Sequence, residues 1–557
     1  MIDINEPNMK DYELERKKFR LEVPDYFNFG FDIVDKWAKR QPNKLALFAV
    51  DRSGENPRPY SFRDMSRASN RFANVLKRLG LRKGECVFLM LPRIPEWYVT
   101  MVGMIKLGVI PMPATTQCTS KDIEYRVNTS KSDLVITDIE NVFKVDEIKG
   151  RCKYLKNLMV IGGERKDGWL SYESELANAA ESIVDVERTK SDDPMLLYFT
   201  SGTVANPKMV IHTQASFGIA HLITAKFWQD LKPTDLHWTI SDMGWSKAAW
   251  GKIFGQWTIG AAVFLYNASS KFDPKLTLRL LERYGITTFC APPTVYRVLV
   301  LEDLGRYKLD KLRHCTAAGE PLNPEVISRW EKGTGLKIYD GYGQTETVNI
   351  VGNYRCMPIK PGSMGKPTPG FDIAIVDDNG RELPPRREGH IAIRVKPTRP
   401  VGLFKEYWKE PARMKEVFKG DWYYTGDRAY RDDDGYFWFI GRADDVIISS
   451  GYRIGPFEVE SALIEHPAVA EAAVVASPDD LRGEVVKAFV ILAPGYEGSE
   501  ELKKELQEHV KRVTAPYKHP RKIDFVNELP KTISGKIKRG ELKRKEWEGW
   551  KRPSDTQ

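Results

Sequence analysis

Cysteine is scarce: six in 557 residues, at positions 86, 118, 152, 290, 315 and 356, with no C-x-x-C pair and no Cys/His cluster of metal-ligand spacing. That excludes a small disulfide scaffold and a structural zinc site, and it favours a reduced intracellular compartment. Long apolar runs are missing too. The best stretch, 99–113, is broken by Lys106, and the first 20 residues are crowded with charge where a secretory signal would carry an apolar core. The expectation is a cytoplasmic, soluble chain with no membrane span. No repeat of fixed period is visible, which sets solenoids and propellers aside. Nor is there a Walker string G-x-x-x-x-G-K-[ST], and the near-match to the dinucleotide fingerprint that begins with Gly341 and Gly343 fails at Glu346.

At 557 residues the chain exceeds the roughly 250–300 at which a single core stops growing, so at least two folded units are expected. Hydrophobic residues at 42% and charged residues at 29% are ordinary for a globular protein and exclude wholesale disorder. Lysine and arginine outnumber aspartate and glutamate by 85 to 76, but residues 511–552 hold 14 basic and 5 acidic side chains, leaving 71 of each sign elsewhere. The basic character belongs to the tail. Such a stretch either meets a polyanion, nucleic acid or a phosphorylated small molecule, or is a solvated helical surface.

Over the first 440 residues amphipathic stretches alternate with short apolar runs. Phe72, Val75, Leu76 and Leu79 fall at helical spacing, whereas 86–90 and 134–137 read as strands, which implies a layered α/β architecture. Three apolar runs, 196–199, 287–290 and 315–318, end in the loops TSGT, APPT and GEPL. In open α/β sheets the loops beyond strand carboxyl ends form the ligand crevice, so the three are candidates for one site. After Gly441 the texture changes to a small α+β unit, with helices at 456–466 and 501–513 (Leu502, Leu506, Val510 and Val513 on one face) and strands at 469–476 and 487–492. The boundary is expected at 442–445, dividing the chain into 1–443 and 444–557.

Four strings carry candidate chemistry. Thr200-Ser201-Gly202-Thr203-Val204-Ala205-Asn206-Pro207-Lys208 offers hydroxyls, a glycine for close approach and a lysine, which suit nucleotide phosphates; a polar surface turn would use the same residues. Asp340-Gly341-Tyr342-Gly343-Gln344-Thr345-Glu346-Thr347 sets a carboxylate beside hydroxyls, a donor set for Mg²⁺ shared with substrate phosphates. Tyr424-Thr425-Gly426-Asp427, followed by Gly441-Arg442-Ala443-Asp444, pairs an Asp able to accept ribose hydroxyls with a nearby Arg; alone it would read as a hairpin turn. Ser534-Gly535-Lys536-Ile537-Lys538-Arg539 presents a lysine on a flexible turn, able to bring one compact cation to a developing charge.

In this order and at these separations the four strings resemble the adenylate-forming superfamily of acyl-CoA synthetases, luciferases and peptide-synthetase adenylation domains, over about residues 25–547. The likeness is closest to the medium-chain acyl-CoA synthetases, through Ser449-Ser450-Gly451-Tyr452-Arg453-Ile454-Gly455-Pro456, Arg482-Gly483-Glu484-Val485-Val486-Lys487-Ala488 and Thr514-Ala515-Pro516-Tyr517-Lys518. The resemblance implies a large N-terminal α/β domain of layered sheets and helices and a small mobile lid turning about Asp444. It implies two steps: a carboxylic acid reacts with MgATP to give acyl-AMP and pyrophosphate, and CoA then displaces AMP. Carried over by position, residues 200–208 would hold the triphosphate and Glu346 the Mg²⁺. Gly319, Glu320, Pro321 and residues 340–345 would line the adenine and α-phosphate site, and Asp427 and Arg442 would take the ribose. Lys536, with Thr345 and Glu346, would serve adenylation. Gln117, Ser450, Gly451, Tyr452, Arg453, Arg482, Lys511, His519 and Arg521 would meet CoA, which gives the basic tail a phosphorylated partner without nucleic acid. The resemblance leaves a homo-oligomer open.

Acetyl-CoA synthetases place a tryptophan where this chain has Gly343, so the acid pocket is expected to extend beyond acetate. Trp245, Trp250 and Trp257 are candidates for its lining and Lys247 for its mouth; ordinary aromatic core is the competing reading for the tryptophans. A medium-chain, branched or aromatic acid fits. The chain departs from the family at Val204-Ala205-Asn206, where small residues and glycine are usual, and at Ile211, where its branch often has Glu. Alternatives are an adenylating enzyme serving a carrier-protein thiol and a weakened acyl-adenylate or nucleotide-binding protein.

Overall fold

The structure is a computed structural model that describes residues 6–163, 167–183, 185–200, 207–268, 272–449, 452–479, 482–532, 536–548 and 550. The continuous apolar runs become strands buried on both faces. Ile110–Ala114, Cys86–Met90 and Leu134–Asp138 are adjacent and wholly buried in a five-stranded parallel sheet completed by Asn157–Ile161 and Leu170–Ser171. The helix Phe62–Arg78 packs Phe72, Val75 and Leu76 inward and starts in a capping box between Ser61 and Asp64.

Lys106 lies in the helix Pro95–Leu107 and is fully buried. Its ammonium donates to Asp35 and Asn70, both at 2.6 Å, so the charge that breaks the apolar run is paired inside a core. Among the described residues no helix is long and apolar enough to cross a membrane. All six cysteines are unpaired, and five of them are buried.

A nine-stranded sheet supplies the floor of the cleft. Its inner strands Leu45–Val50, Ala262–Tyr266, Leu236–Thr239, Thr288–Ala291, His314–Ala318 and Ile338–Tyr342 run parallel, and antiparallel strands close both edges. Ala291 stands opposite Ala317, and Ala318 opposite Gly341, so the chain leaves three neighbouring strands at the same end. Two smaller sheets flank that end: the hairpin Pro194–Thr200 and Lys208–Thr213 with Glu406–Tyr407, and an antiparallel sheet containing Trp422–Arg431 and Phe437–Arg442.

Asp444 falls in an exposed turn after Phe437–Arg442. A separate sheet then begins with Ile447–Ser449 and is built mainly on the long pair Val469–Asp479 and Gly483–Leu492. Helices Pro456–Ile464 and Glu500–Val513 accompany it; Leu502, Leu506 and Val510 are buried, whereas Val513, on the same face by spacing, is exposed at the helix end. An Asn323 to Ser461 hydrogen bond of 3.0 Å crosses the seam between this unit and the nine-stranded sheet.

Candidate active site

The loops after the parallel strands meet as their register requires. Gly319, at φ 107°, turns the chain after His314–Ala318, and a Cβ there would meet open space. Glu320 beside it takes a 3.2 Å ion pair from Arg297 and a hydrogen bond from Thr294, joining the GEPL loop to the APPT loop. Of the third loop, 201–206 lie outside the described residues, Val204, Ala205 and Asn206 among them. Thr200 and Lys208 face each other across the hairpin that brackets it.

The string 340–347 is the hub. Asp340 is buried, accepts from the Gly341 N–H at 2.9 Å, and has its pKa raised well above the usual range by burial. Tyr342 and Gln344 both donate to Asp427 Oδ2, at 2.5 and 2.8 Å, so residues 85 and 83 positions apart share one carboxylate oxygen. Arg442 is the cross-strand neighbour of Asp427. Burial raises the Asp427 pKa, opposed by the Tyr342 hydrogen bond, Arg442, Gln344 and Lys536. Lys536 reaches the same mouth: exposed by area, its ammonium is nevertheless crowded by surrounding atoms and by Arg442, which lower its pKa, while Glu320 and Asp427 raise it.

At the other end of the hub, Glu346 accepts from the Tyr407 hydroxyl at 2.8 Å through Oε1. Burial raises its pKa, and Tyr407 and Lys208 oppose the shift. The Thr345 hydroxyl lies 3.1 Å from that of Ser246, and the Thr345 carbonyl accepts from His212 Nε2 at 2.7 Å. Burial pushes the His212 pKa down to about 3, so the ring is neutral. Among the described residues no group of three or more His, Cys, Asp or Glu forms a metal cluster. One carboxylate with an oxygen to spare fits a hard cation that takes its remaining ligands from phosphates and water.

Tyr407, His212, Ser246 and Arg297 were not anticipated. His212 ends four positions after Lys208 and proximity alone flags it; Tyr407 carries no sequence signal.

The three tryptophans separate. Trp257 is fully buried, donates to the Ala46 carbonyl at 3.0 Å and packs on Phe62 and Tyr98, far into the aromatic core, which is a correction to its place in an acid pocket. Trp250 lies on Gly343: a Cβ there would come 2.2 Å from its ring and 2.5 Å from the Val348 carbonyl. Two of the candidates for the acid pocket, Gly343 and Trp250, are therefore in contact. Trp245 is the residue before the helix Ser246–Lys252, and Lys247 on that helix donates to the Ala318 carbonyl at 2.8 Å.

Of the CoA candidates, Ser450 and Gly451 lie outside the described residues, as does the side chain of Arg453. Tyr452 stacks on Tyr517 with centroids 4.3 Å apart. Burial, Lys511 and Arg521 lower the His519 pKa, so both cations act on the imidazole. Arg482 donates its N–H to Asp479, and Gln117 is exposed after Ile110–Ala114 in the other domain.

Two family models match the chain, "AMP-binding enzyme" over residues 34–408 and "AMP-binding enzyme C-terminal domain" over 458–536. Acyl-coenzyme A synthetase ACSM3, mitochondrial, of Mus musculus is 49% identical over 97% of this chain and 94% of its own length; ACSM4, mitochondrial, of Homo sapiens is 50% identical over 95% and 92%. Among solved structures, the anthranilate CoA ligase AuaEII in complex with anthranoyl-AMP superposes with TM-score 0.86 at 31% identity, covering 93% of this chain and 97% of that one. Brucella canis acyl-CoA synthetase gives 0.75 at 36% identity, with 97% and 99% covered. The relatives named mitochondrial overturn the cytoplasmic expectation. Its two arguments, unpaired cysteines and no secretory core, separate secreted proteins from others and do not separate cytosol from a mitochondrial matrix. With the large α/β body, the small second unit and both models matched in order, the chain belongs to the AMP-binding enzyme family.

Proposed function

We propose that this protein is an ATP-dependent acyl-CoA synthetase, which adenylates a medium-chain, branched or aromatic carboxylic acid and passes the acyl group to CoA. The observation that carries the reading is the meeting, in one cleft, of four strings spread over more than 300 residues: Lys208 and Glu346 about Tyr407, Tyr342 and Gln344 on Asp427, and Lys536 beside Asp427 and Glu320. A carboxylate oxygen of the acid attacks the α-phosphorus of ATP, the bond to the bridging oxygen breaks, and pyrophosphate leaves. The CoA sulfur then attacks the acyl carbon and AMP departs.

Residues 200–208 surround the triphosphate, and residues 319–321 with 340–345 line the base and α-phosphate. Asp427, whose Oδ2 is already engaged, presents Oδ1 to a ribose hydroxyl with Arg442 at its side. Glu346 would hold Mg²⁺, which neutralises phosphate charge. Lys536 donates to the oxygens that gain charge at the α-phosphate. The unit 444–557 turns about Asp444 after adenylation, withdrawing Lys536 and presenting Tyr452, Arg453, Arg482, Lys511, His519 and Arg521, with Ser450 and Gly451, to CoA opposite Gln117.

The test is a panel of C2 to C10, branched and aromatic acids assayed with MgATP. Acid-dependent exchange of labelled pyrophosphate into ATP is expected without CoA, and thioester with stoichiometric AMP on adding it. Exchange absent with every acid would overturn the reading; exchange with release only to a carrier-protein thiol would change the acceptor.

A further inference from the structure

Two consecutive carbonyls in the hub are held from outside their own loop. The Phe404 N–H donates to Glu346 O at 2.7 Å, and His212 Nε2 stands 2.7 Å from Thr345 O. A carbonyl only accepts, so Nε2 carries the proton and Nδ1 is left as an acceptor, 3.1 Å from the Ser216 hydroxyl. Ser216 is itself fixed, since its Oγ accepts from the Thr213 N–H at 2.8 Å and its N–H donates to Thr213 Oγ1 at 2.9 Å. The Phe217 ring stacks on the imidazole with centroids 3.4 Å apart, and His212 has no solvent exposure. The ring is held at both nitrogens and on one face.

His212 belongs to the strand Lys208–Thr213, which follows directly on the phosphate-loop string. One side chain therefore bridges two segments that contribute to the cleft, 133 residues apart. An apolar core would have satisfied Phe217 without a nitrogen, so the donor is explained by the carbonyl it meets.

We propose that His212 is a positioning residue for nucleotide binding: through Thr345 it fixes the peptide that carries Glu346 against the phosphate-binding hairpin, and Ser216 selects the tautomer that can do so. The proposal rests on the reading of residues 345–346 as nucleotide-facing. Removing the donor strands a buried carbonyl and frees that peptide to reorient, which weakens MgATP more than the acid.

The experiment compares wild type, His212→Phe, His212→Gln and Ser216→Ala in acid-dependent pyrophosphate exchange, with thermal unfolding followed in parallel. Phenylalanine keeps the ring stack and loses the donor, whereas glutamine keeps a donor of similar reach. His212→Phe is expected to raise KM for MgATP about tenfold with the acid KM within about twofold, and His212→Gln to recover most of the loss. Ser216→Ala, the milder variant should His212→Phe unfold, is expected to raise KM for MgATP about threefold. Equal rises in both KM values, equal impairment of the Phe and Gln variants, or unchanged KM for MgATP in the folded variants would overturn the proposal while leaving the enzymatic reading intact. A wild type without exchange would overturn that reading and the proposal with it.

Discussion

Asp427 and Lys536 meet at the same mouth from opposite surroundings. Asp427 is buried in a sheet, takes hydrogen bonds from Tyr342 and Gln344, and faces Arg442 across a strand pair. Lys536 is exposed, and its backbone is paired with Thr532 within the small unit. On the proposed reading, the group that stays with the nucleotide is built into the body, and the cation needed for one step belongs to the unit that turns.

The strongest way to break this contrast is Lys536→Ala. Acyl-AMP formation is expected to fall at least about 100-fold, with thioester formation from supplied acyl-AMP changed less than about threefold. Rapid-quench measurement of each half-reaction checks it, and equal losses would place Lys536 among the fixed groups. Asp427→Ala should raise KM for MgATP about tenfold, measured by pyrophosphate exchange.

The same carboxylate links function to stability. Burial raises its folded pKa, so its contribution is present below the unfolded carboxylate range and is lost as pH rises through the folded value. Asp427→Asn is therefore expected to raise Tm by about 1–2 °C at pH 8 and by less at pH 4, read by calorimetry. Trp250→Ala should shift relative kcat/KM toward bulkier acids by several-fold, because the ring on Gly343 would be gone. An unchanged acid profile would move the pocket elsewhere. Ser461→Ala, which removes the partner of Asn323 across the seam, should slow adenylation only two- to threefold and spare thioester formation.

The strands were legible where burial was complete: 86–90 is an unbroken apolar run, and 134–137, which the fold extends to Asp138, opens with Leu134, Val135 and Ile136, because both faces of their sheet are covered. The motif strings were legible because glycine, hydroxyl and charge cluster in loops. What joins them was not. Tyr407 meets Glu346 across 61 residues and His212 meets Thr345 across 133, pairings set by the order of strands and absent from any local pattern. Gly343 and Trp250 were each legible as candidates, but that the ring of one lies on the other is set by packing and has no local signal. Lys106 interrupts the apolar run in sequence, and what the sequence did not show is that Asp35 and Asn70 receive its charge.

The hydrogen bond between Asn323 and Ser461 joins two neutral side chains. A tie of that kind contributes about 1 kcal/mol, enough to bias a pair of orientations only about fivefold. It is not the whole of the seam, since Gly455 lies against Ile440 and Gly441 against Pro456, so any change of orientation has to part close packing as well as this one bond.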